Sequence, residues 1–217
     1  IDDALERIEA SGHPVCRFVL EDYYELGGEF YRWEYATAVA GNVLGINPFN
    51  QPNIDQTKET TKEVIHSYRK SKRYLIPRST GSFPDLFEDL CQKNYLAIMA
   101  YLYQTPKVDT ILTEFRRLIM KRYNIATTLG YGPRFLHSTG QLHKGGPGTG
   151  LFLQLTATHQ DDQLFSDSAY PNSFEALTYA QALGDLQTLK DLGRKVVSIH
   201  FNSTDYSELG ELRNHIL

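Results

Sequence analysis

The sequence predicts an α/β protein, with helices layered around a mostly parallel sheet and a helical segment preceding them. Three observations carry this prediction. Residues 95–101 and 151–155 are short runs dominated by apolar side chains, as expected of strands buried on both faces. Amphipathic stretches of helical period stand between the strand candidates, the alternation that builds parallel layers. No internal repeat or low-complexity tract interrupts the pattern.

The elements follow in order. Residues 2–11 read as a short amphipathic helix with Ala4, Leu5 and Ile8 on one side, ended by Gly12. Residues 15–20 (Val-Cys-Arg-Phe-Val-Leu) read as a strand. Leu26, Phe30, Trp33, Ala36, Ala40, Val43 and Leu44 recur at helical spacing over 26–44, and Gly27 and Gly28 allow close packing near the start. Asn53 is the expected N-cap of a helix through Lys58 to about Tyr68. A basic stretch follows (Arg69, Lys70, Lys72, Arg73, Arg78), then Ser79-Thr80-Gly81-Ser82; it reads as a linker or ordered surface loop with solvated charges.

Residues 84–92 read as helix, with Pro84 in the first turn. Residues 95–101 read as strand. Residues 107–123 read as a strongly amphipathic helix carrying Val108, Ile111, Leu112, Phe115, Leu118 and Ile119. A strand at 125–129 ends in Gly130-Tyr131-Gly132-Pro133, and 134–143 reads as a short helix. A buried strand at 151–155 is followed by a helix over 173–192 with Phe174, Leu177, Leu183, Leu186 and Leu189 inward. A strand at 195–201 and a helix at 205–216 close the chain. Parallel sheets of this kind bind ligands at the carboxyl ends of their strands.

A chain of 217 residues suits one large domain or two small ones and can bury a core without metal or disulfide. A net charge of −4 gives no basic face for nucleic acid, so none is expected as a partner. The two cysteines, Cys16 and Cys91, have no metal-like spacing, and a reducing cytoplasm is the simpler setting. No apolar run of membrane-spanning length and no signal peptide is present, so no membrane association is expected. The chain opens directly on a helix-like stretch, the expectation for a fragment of a longer protein.

Chemistry is expected in two places. The first is Gly45-Ile-Asn-Pro-Phe-Asn-Gln-Pro-Asn-Ile-Asp55 with Lys58 beyond it. Pro48 and Pro52 stiffen the turn and set Gln51 in place. The helix N-terminus that follows attracts anions. Lys58 lies about a turn and a half further on, a cationic donor suited to a developing oxyanion. On spacing alone, the same residues also read as a helix start with a surface lysine.

The second place is Arg134-Phe-Leu-His-Ser-Thr-Gly-Gln-Leu-His-Lys144 followed by Gly145-Gly146-Pro147. Arg134, His137, Ser138, Thr139, Gln141, His143 and Lys144 are the groups that hold phosphates and polyhydroxyl ligands. If helical, Arg134, His137, Ser138, Gln141 and Lys144 share one face. His137 and His143 are poorly spaced for a metal on a helix, and no metal or other cofactor is expected. His159, Asp161 and Asp162 could join the same face. The segment also reads as a polar surface helix.

Residues 15–62, with Tyr24-Glu-Leu-Gly-Gly-Glu-Phe30 and the N-P-F-N-Q-P turn, resemble phosphoglucose isomerases of the shorter bacterial kind. The run L-H-S-T-G-Q-L-H-K-G-G-P, with G-L-F-L-Q-L-T after it and Ala182-Leu-Gly-Asp185 near the end, is similar to the C-terminal region of bifunctional transaldolase–phosphoglucose isomerase proteins, across essentially the whole chain. The resemblance implies the end of a phosphosugar-isomerase domain over 1–70, a linker over 71–82 and an α/β extension over 83–217. It implies interconversion of glucose 6-phosphate and fructose 6-phosphate through a cis-enediol, in glycolysis and gluconeogenesis. Lys58 would assist ring opening, Gln51 would lie near the sugar, and no metal would be needed. Isomerase and transaldolase domains preceding this segment are the implied partners.

The family's base glutamate lies in a glycine-rich stretch that this chain lacks; neither Glu29 nor Glu34 matches it. His13 falls near the place of the ring-opening histidine in a different local pattern. Two alternatives stay open. One is a non-catalytic packing module or a subunit interface of a homo-oligomer. The other is sugar-phosphate binding without turnover.

Overall fold

The computed structural model describes residues 2–71, 76–158, 173–202 and 207–215. Contacts divide the chain into two units, 1–50 and 51–217. The division falls earlier than the expected boundary at residue 70, because the helix that begins at Pro52 packs within the second unit.

The first unit holds α1 (Asp2–Ala10) and α2 (Glu25–Leu44). Asp22 caps the entry to α2, its Oδ1 accepting the N–H groups of Tyr24 (2.7 Å) and Glu25 (3.1 Å). Gly45 ends α2 at φ +68°, where a side chain would be strained. Gly41 is the residue of α2 that is buried, and a Cβ there would stand 2.5 Å from the Pro48 ring. Residues 15–20 form no strand, contrary to the expectation. Instead the Phe18 ring meets Trp33 edge-on at 6.5 Å and lies 5.4 Å from the Arg32 guanidinium. An apolar run carries strand propensity, but a strand needs a ladder partner, and 15–20 finds none among the described residues. Most of the apolar side chains of α2 remain exposed, Trp33 at 61% and Val43 at 78%. A helix apolar on all sides is normally covered.

The second unit begins with α3 (Pro52–Ser71) and continues through β1 (Tyr95–Tyr101), α4 (Pro106–Tyr123), β2 (Ala126–Tyr131), α5 (Gly140–Gly145), β3 (Gly150–Ala157), α6 (Phe174–Asp191) and β4 (Lys195–Phe201). Short 3-10 turns occupy Phe83–Phe87, Arg134–His137 and Ser207–His215, where helices were expected at 84–92, 134–143 and 205–216. Among the described residues the sheet has four strands in the order β2-β1-β3-β4, all parallel. This is the predicted α/β architecture.

Strand periodicity places the core. Leu96, Ile98 and Ala100 of β1 face a cluster with Val108, Leu112, Phe115 and Ile119 of α4, and with Leu209 and Leu212. Ala97, Met99 and Tyr101 face the opposite layer, with Phe135, Phe152 and the α6 residues Ala182 and Leu189. Residues read as a linker cover the free edge of β4 in part. Thr80 pairs with Ser198 in an antiparallel bridge (N–H to carbonyl 2.7 and 3.1 Å), which shields an open strand edge. Residues 72–75 of that stretch lie outside the described residues.

On α6, Phe174 was expected inward but is exposed; Ala176, Tyr179, Ala180, Ala182, Asp185, Leu186 and Leu189 are buried. Two layers, the sheet and α3, cover this helix, so its buried face is wider than one stripe. Gly184 makes the approach of α3 possible: a Cβ would lie 2.3 Å from Thr61 Oγ1 and 3.0 Å from its backbone nitrogen. Gly184→Val is therefore expected to cost about 1–3 kcal/mol by overpacking. Equilibrium denaturation reads the loss; an unaltered midpoint would contradict the α3–α6 contact.

Candidate functional site

Helix α3 carries Lys58, and its first turn is built unusually. Pro52 opens the helix and has no N–H to satisfy. Gln51 therefore stands in the capping position, two residues earlier than expected, and its carbonyl accepts the N–H groups of Ile54 (3.0 Å) and Asp55 (3.2 Å). Asn53 lies inside the first turn. Its N–H donates to Gln141 Oε1 at 3.2 Å, and its Oδ1 accepts from Gln141 Nε2 at 2.8 Å. Each N–H of this first turn thus has a protein acceptor, so the helix end expected to attract an anion is closed to one as folded.

Lys58 itself is 59% exposed and forms an ion pair with Asp55 at 3.0 Å. An exposed pair of this kind contributes little to stability, which leaves the ammonium available to a ligand. The Gln51 side chain is also exposed.

The predicted polar stripe is not one helix face. Arg134–His137 is a 3-10 turn, Ser138 leaves helical geometry (φ −130°, ψ −81°), and α5 starts afresh at Gly140. Arg134, His137 and Ser138 are exposed, and Ser138 Oγ donates back to the Phe135 carbonyl at 3.2 Å. Thr139 is half-buried, and its carbonyl accepts the His143 N–H at 2.9 Å. Gln141 is held by Asn53. His143 and Lys144, expected on the polar face, are buried instead.

Lys144 forms a fully buried ion pair with Asp185 of α6. The Tyr101 hydroxyl, at the end of β1, lies 3.5 Å from the other carboxylate oxygen. Burial raises the Asp185 carboxyl above its ordinary value, and the Lys144 ammonium pulls it back in part. Burial, with the Asp185 charge beside it, raises the Tyr101 hydroxyl as well. The His143 ring sits between Phe135 (5.8 Å) and Phe152 (5.3 Å), and its Nδ1 has no partner among the described residues. Burial, then the Lys144 charge, pushes it down to about 4. Sequence reasoning missed Asp185 and Tyr101. The available signal was an aspartate on an inward stripe, with Ala182, Asp185, Leu186 and Leu189 at i, i+3, i+4 and i+7.

The two expected places touch at one end only: Gln141 of the second meets Asn53 of the first, whereas Arg134 stands at the opposite edge of the sheet. Thr57 meets Thr188 (Oγ1 to Oγ1, 3.4 Å), and Thr61 lies against Gly184, so α3 runs antiparallel to α6. The first turn of α3 therefore lies near the end of α6, at the edge where β4 begins. Arg134 follows β2 and lies at the carboxyl edge. There Arg134 donates to Gln104 Oε1 (2.7 Å), Gln104 Nε2 reaches Asp109 Oδ2 (3.3 Å), and the Tyr131 hydroxyl donates to Asp109 Oδ1 (2.6 Å). Across the same edge His200 Nδ1 lies 2.9 Å from Thr156 Oγ1, and its backbone N–H donates to Ser79 Oγ at 3.0 Å. A cleft of about 380 Å³ adjoins it, lined by Pro77, Arg78, Ser79, His200 and Asn202. His159, Asp161 and Asp162 lie outside the described residues.

Among the described residues no three His, Cys, Asp or Glu side chains gather as metal ligands. Among them no helix is long and apolar enough to cross a membrane. No protein-family model matches the sequence. Among solved structures, the chain is similar to a hypothetical protein from Thermus thermophilus, at 15% identity and a TM-score of 0.48, over 56% of this chain and 33% of that one. The chain thus spans about a third of that neighbour's length.

Proposed function

We propose that this chain is the C-terminal part of a glucose-6-phosphate isomerase of the transaldolase-fusion kind, which interconverts glucose 6-phosphate and fructose 6-phosphate through an enediol. The observation that carries the reading is Lys58: an exposed ammonium on a helix opened by the N-P-F-N-Q-P turn and anchored at its first turn. Ring opening places negative charge on a sugar oxygen as the hemiacetal C–O bond breaks, and a held ammonium stabilises that charge. Gln51, exposed in the capping position, is the second residue assigned to the sugar. Arg134, exposed at the other edge of the sheet, serves a sugar phosphate only at a second location; His137 and Ser138 are exposed as well. The base that moves the proton between carbons is not assigned to any residue of this chain.

The uncovered apolar surface of α2 supports a chain that works joined to further protein. It equally supports the second reading, a packing or oligomerisation module without chemistry, which the burial of His143 and Lys144 favours. A coupled fructose-6-phosphate assay separates the two, run on this chain and on the chain joined to isomerase and transaldolase domains. Lys58→Ala is expected to lower kcat of the joined protein by about 100-fold or more. Turnover within twofold of the unsubstituted protein would end the assignment of Lys58.

A further inference from the structure

We propose that α5 caps α3 in trans, and that Gln141 is thereby a positioning residue for Lys58; the second half rests on the isomerase reading above. A helix leaves its first N–H groups without intrahelical partners, and a neighbouring side chain normally satisfies them. In α3 the Gln51 carbonyl takes Ile54 and Asp55, and Asn53 is left. Its acceptor comes from Gln141, 88 residues later in the chain. The Gln141 amide returns a donor to the Asn53 side chain, so the two amides close a reciprocal pair.

The surroundings are shaped for this pair. A Cβ on Gly145 would stand 2.5 Å from Gln141 Nε2 and 2.7 Å from Asn53 Oδ1, so a side chain there would displace one of the two amides from this arrangement. A Cβ on Gly140 would stand 2.9 Å from Ile54 Cδ1, so α5 lies directly on the first turn of α3. Helix α5 is itself fixed from two further sides. Lys144 is paired with Asp185 of α6, and the Arg194 guanidinium donates to the carbonyls of Lys144 and Gly146 (2.6 Å to the latter).

Lys58 lies on the next turn of the same helix, and the N–H of Asp55, its ion-pair partner, belongs to the anchored turn. The position of the ammonium therefore depends on a segment it does not touch. This assigns the α/β extension a purpose: it is a scaffold that sets the lysine-bearing helix. That helix is complete only once the crossovers through β1 and β2 have brought α5 alongside.

The test compares Gln141→Met, which keeps the shape and removes both bonds, with Gln141→Glu, which keeps both if the Asn53 amide turns over. Amide hydrogen exchange is read on this chain. In Gln141→Met the amides of residues 54–57 are expected to exchange about tenfold faster, with those of β1 and β3 unchanged and Gln141→Glu close to the unsubstituted chain. Equal exchange at 54–57 in all three proteins would overturn the cap. Turnover is read on the chain joined to its isomerase domain. There Gln141→Met is expected to lower kcat about tenfold with KM nearly constant, and Gln141→Glu to restore it. An unchanged kcat with faster exchange would overturn the positioning role and leave the isomerase reading standing. A joined protein that never turns over would overturn the isomerase reading and with it the positioning role; the cap is then decided by exchange alone.

Discussion

Lys144→Met is expected to destabilise the fold by about 3–5 kcal/mol near neutral pH. The ion pair with Asp185 is fully buried, so removing the ammonium leaves a carboxylate in the core without a counter-charge. The Tyr101 hydroxyl, at 3.5 Å, is too distant to replace it. The pH dependence follows from sign. Burial already raises the Asp185 carboxyl, and Lys144 is the main group opposing that rise. In the variant the carboxyl rises further. A group raised on folding contributes stability below its unfolded value and loses it as pH increases through the folded one. The penalty of Lys144→Met should therefore shrink in acid and grow toward neutral and alkaline pH. Lys144→Met combined with Asp185→Leu should recover most of the loss, since apolar replacement of a whole buried pair is often neutral or better. Urea titrations across pH decide the matter. A single-variant loss below about 1 kcal/mol at every pH would mean that the pair is hydrated rather than buried.

The legible parts of this fold are those whose signal is local. Residues 195–201 were expected as strand and form β4 with the same ends; Val108, Leu112, Phe115 and Ile119 were expected inward on α4 and are. In each case a run or a period of apolar residues is enough, because the element's own burial is the driving force. What was not legible depends on partners remote in sequence. The run 15–20 has strand composition and no strand to pair with among the described residues. The polar segment 134–144 looked like one ligand-facing stripe. Its division at Ser138 and the burial of His143 and Lys144 follow from Asp185, Phe152 and Asn53, which are distant along the chain. A lysine beside a histidine before two glycines carries no mark of a buried pair. The mark lies on the other partner, an aspartate on the inward stripe of an otherwise apolar helix face. The candidate site shows the same limit. Lys58 is legible from the turn before it, whereas the side chain that fixes its helix, Gln141, is visible only once the crossovers are folded.

His143 supplies the second large effect, and it appears in acid. The ring is 4% exposed between Phe135 and Phe152, and its folded value falls from 6.5 to about 4. Burial is the first cause and the adjacent Lys144 ammonium the second. A histidine depressed on folding stays neutral in the native state while the unfolded chain takes up a proton. Its contribution is therefore fully present above pH 6.5 and is lost as pH falls from 6.5 toward 4. A depression of this size corresponds to about 3 kcal/mol over that window. His143→Phe keeps an aromatic ring between the same neighbours and removes the proton site, together with the Nδ1 that has no partner among the described residues. The difference in unfolding free energy between His143→Phe and the unsubstituted chain should be small and constant above pH 6.5, then open in favour of the variant by about 3 kcal/mol toward pH 4. Carboxylates common to both proteins, Asp185 included, cancel in that difference. Parallel stability curves through the whole window would show that water reaches the ring and that the α5 layer is looser than its packing implies. Such a result would also weaken the cap on α3, because His143 and Gln141 ride on the same six-residue helix.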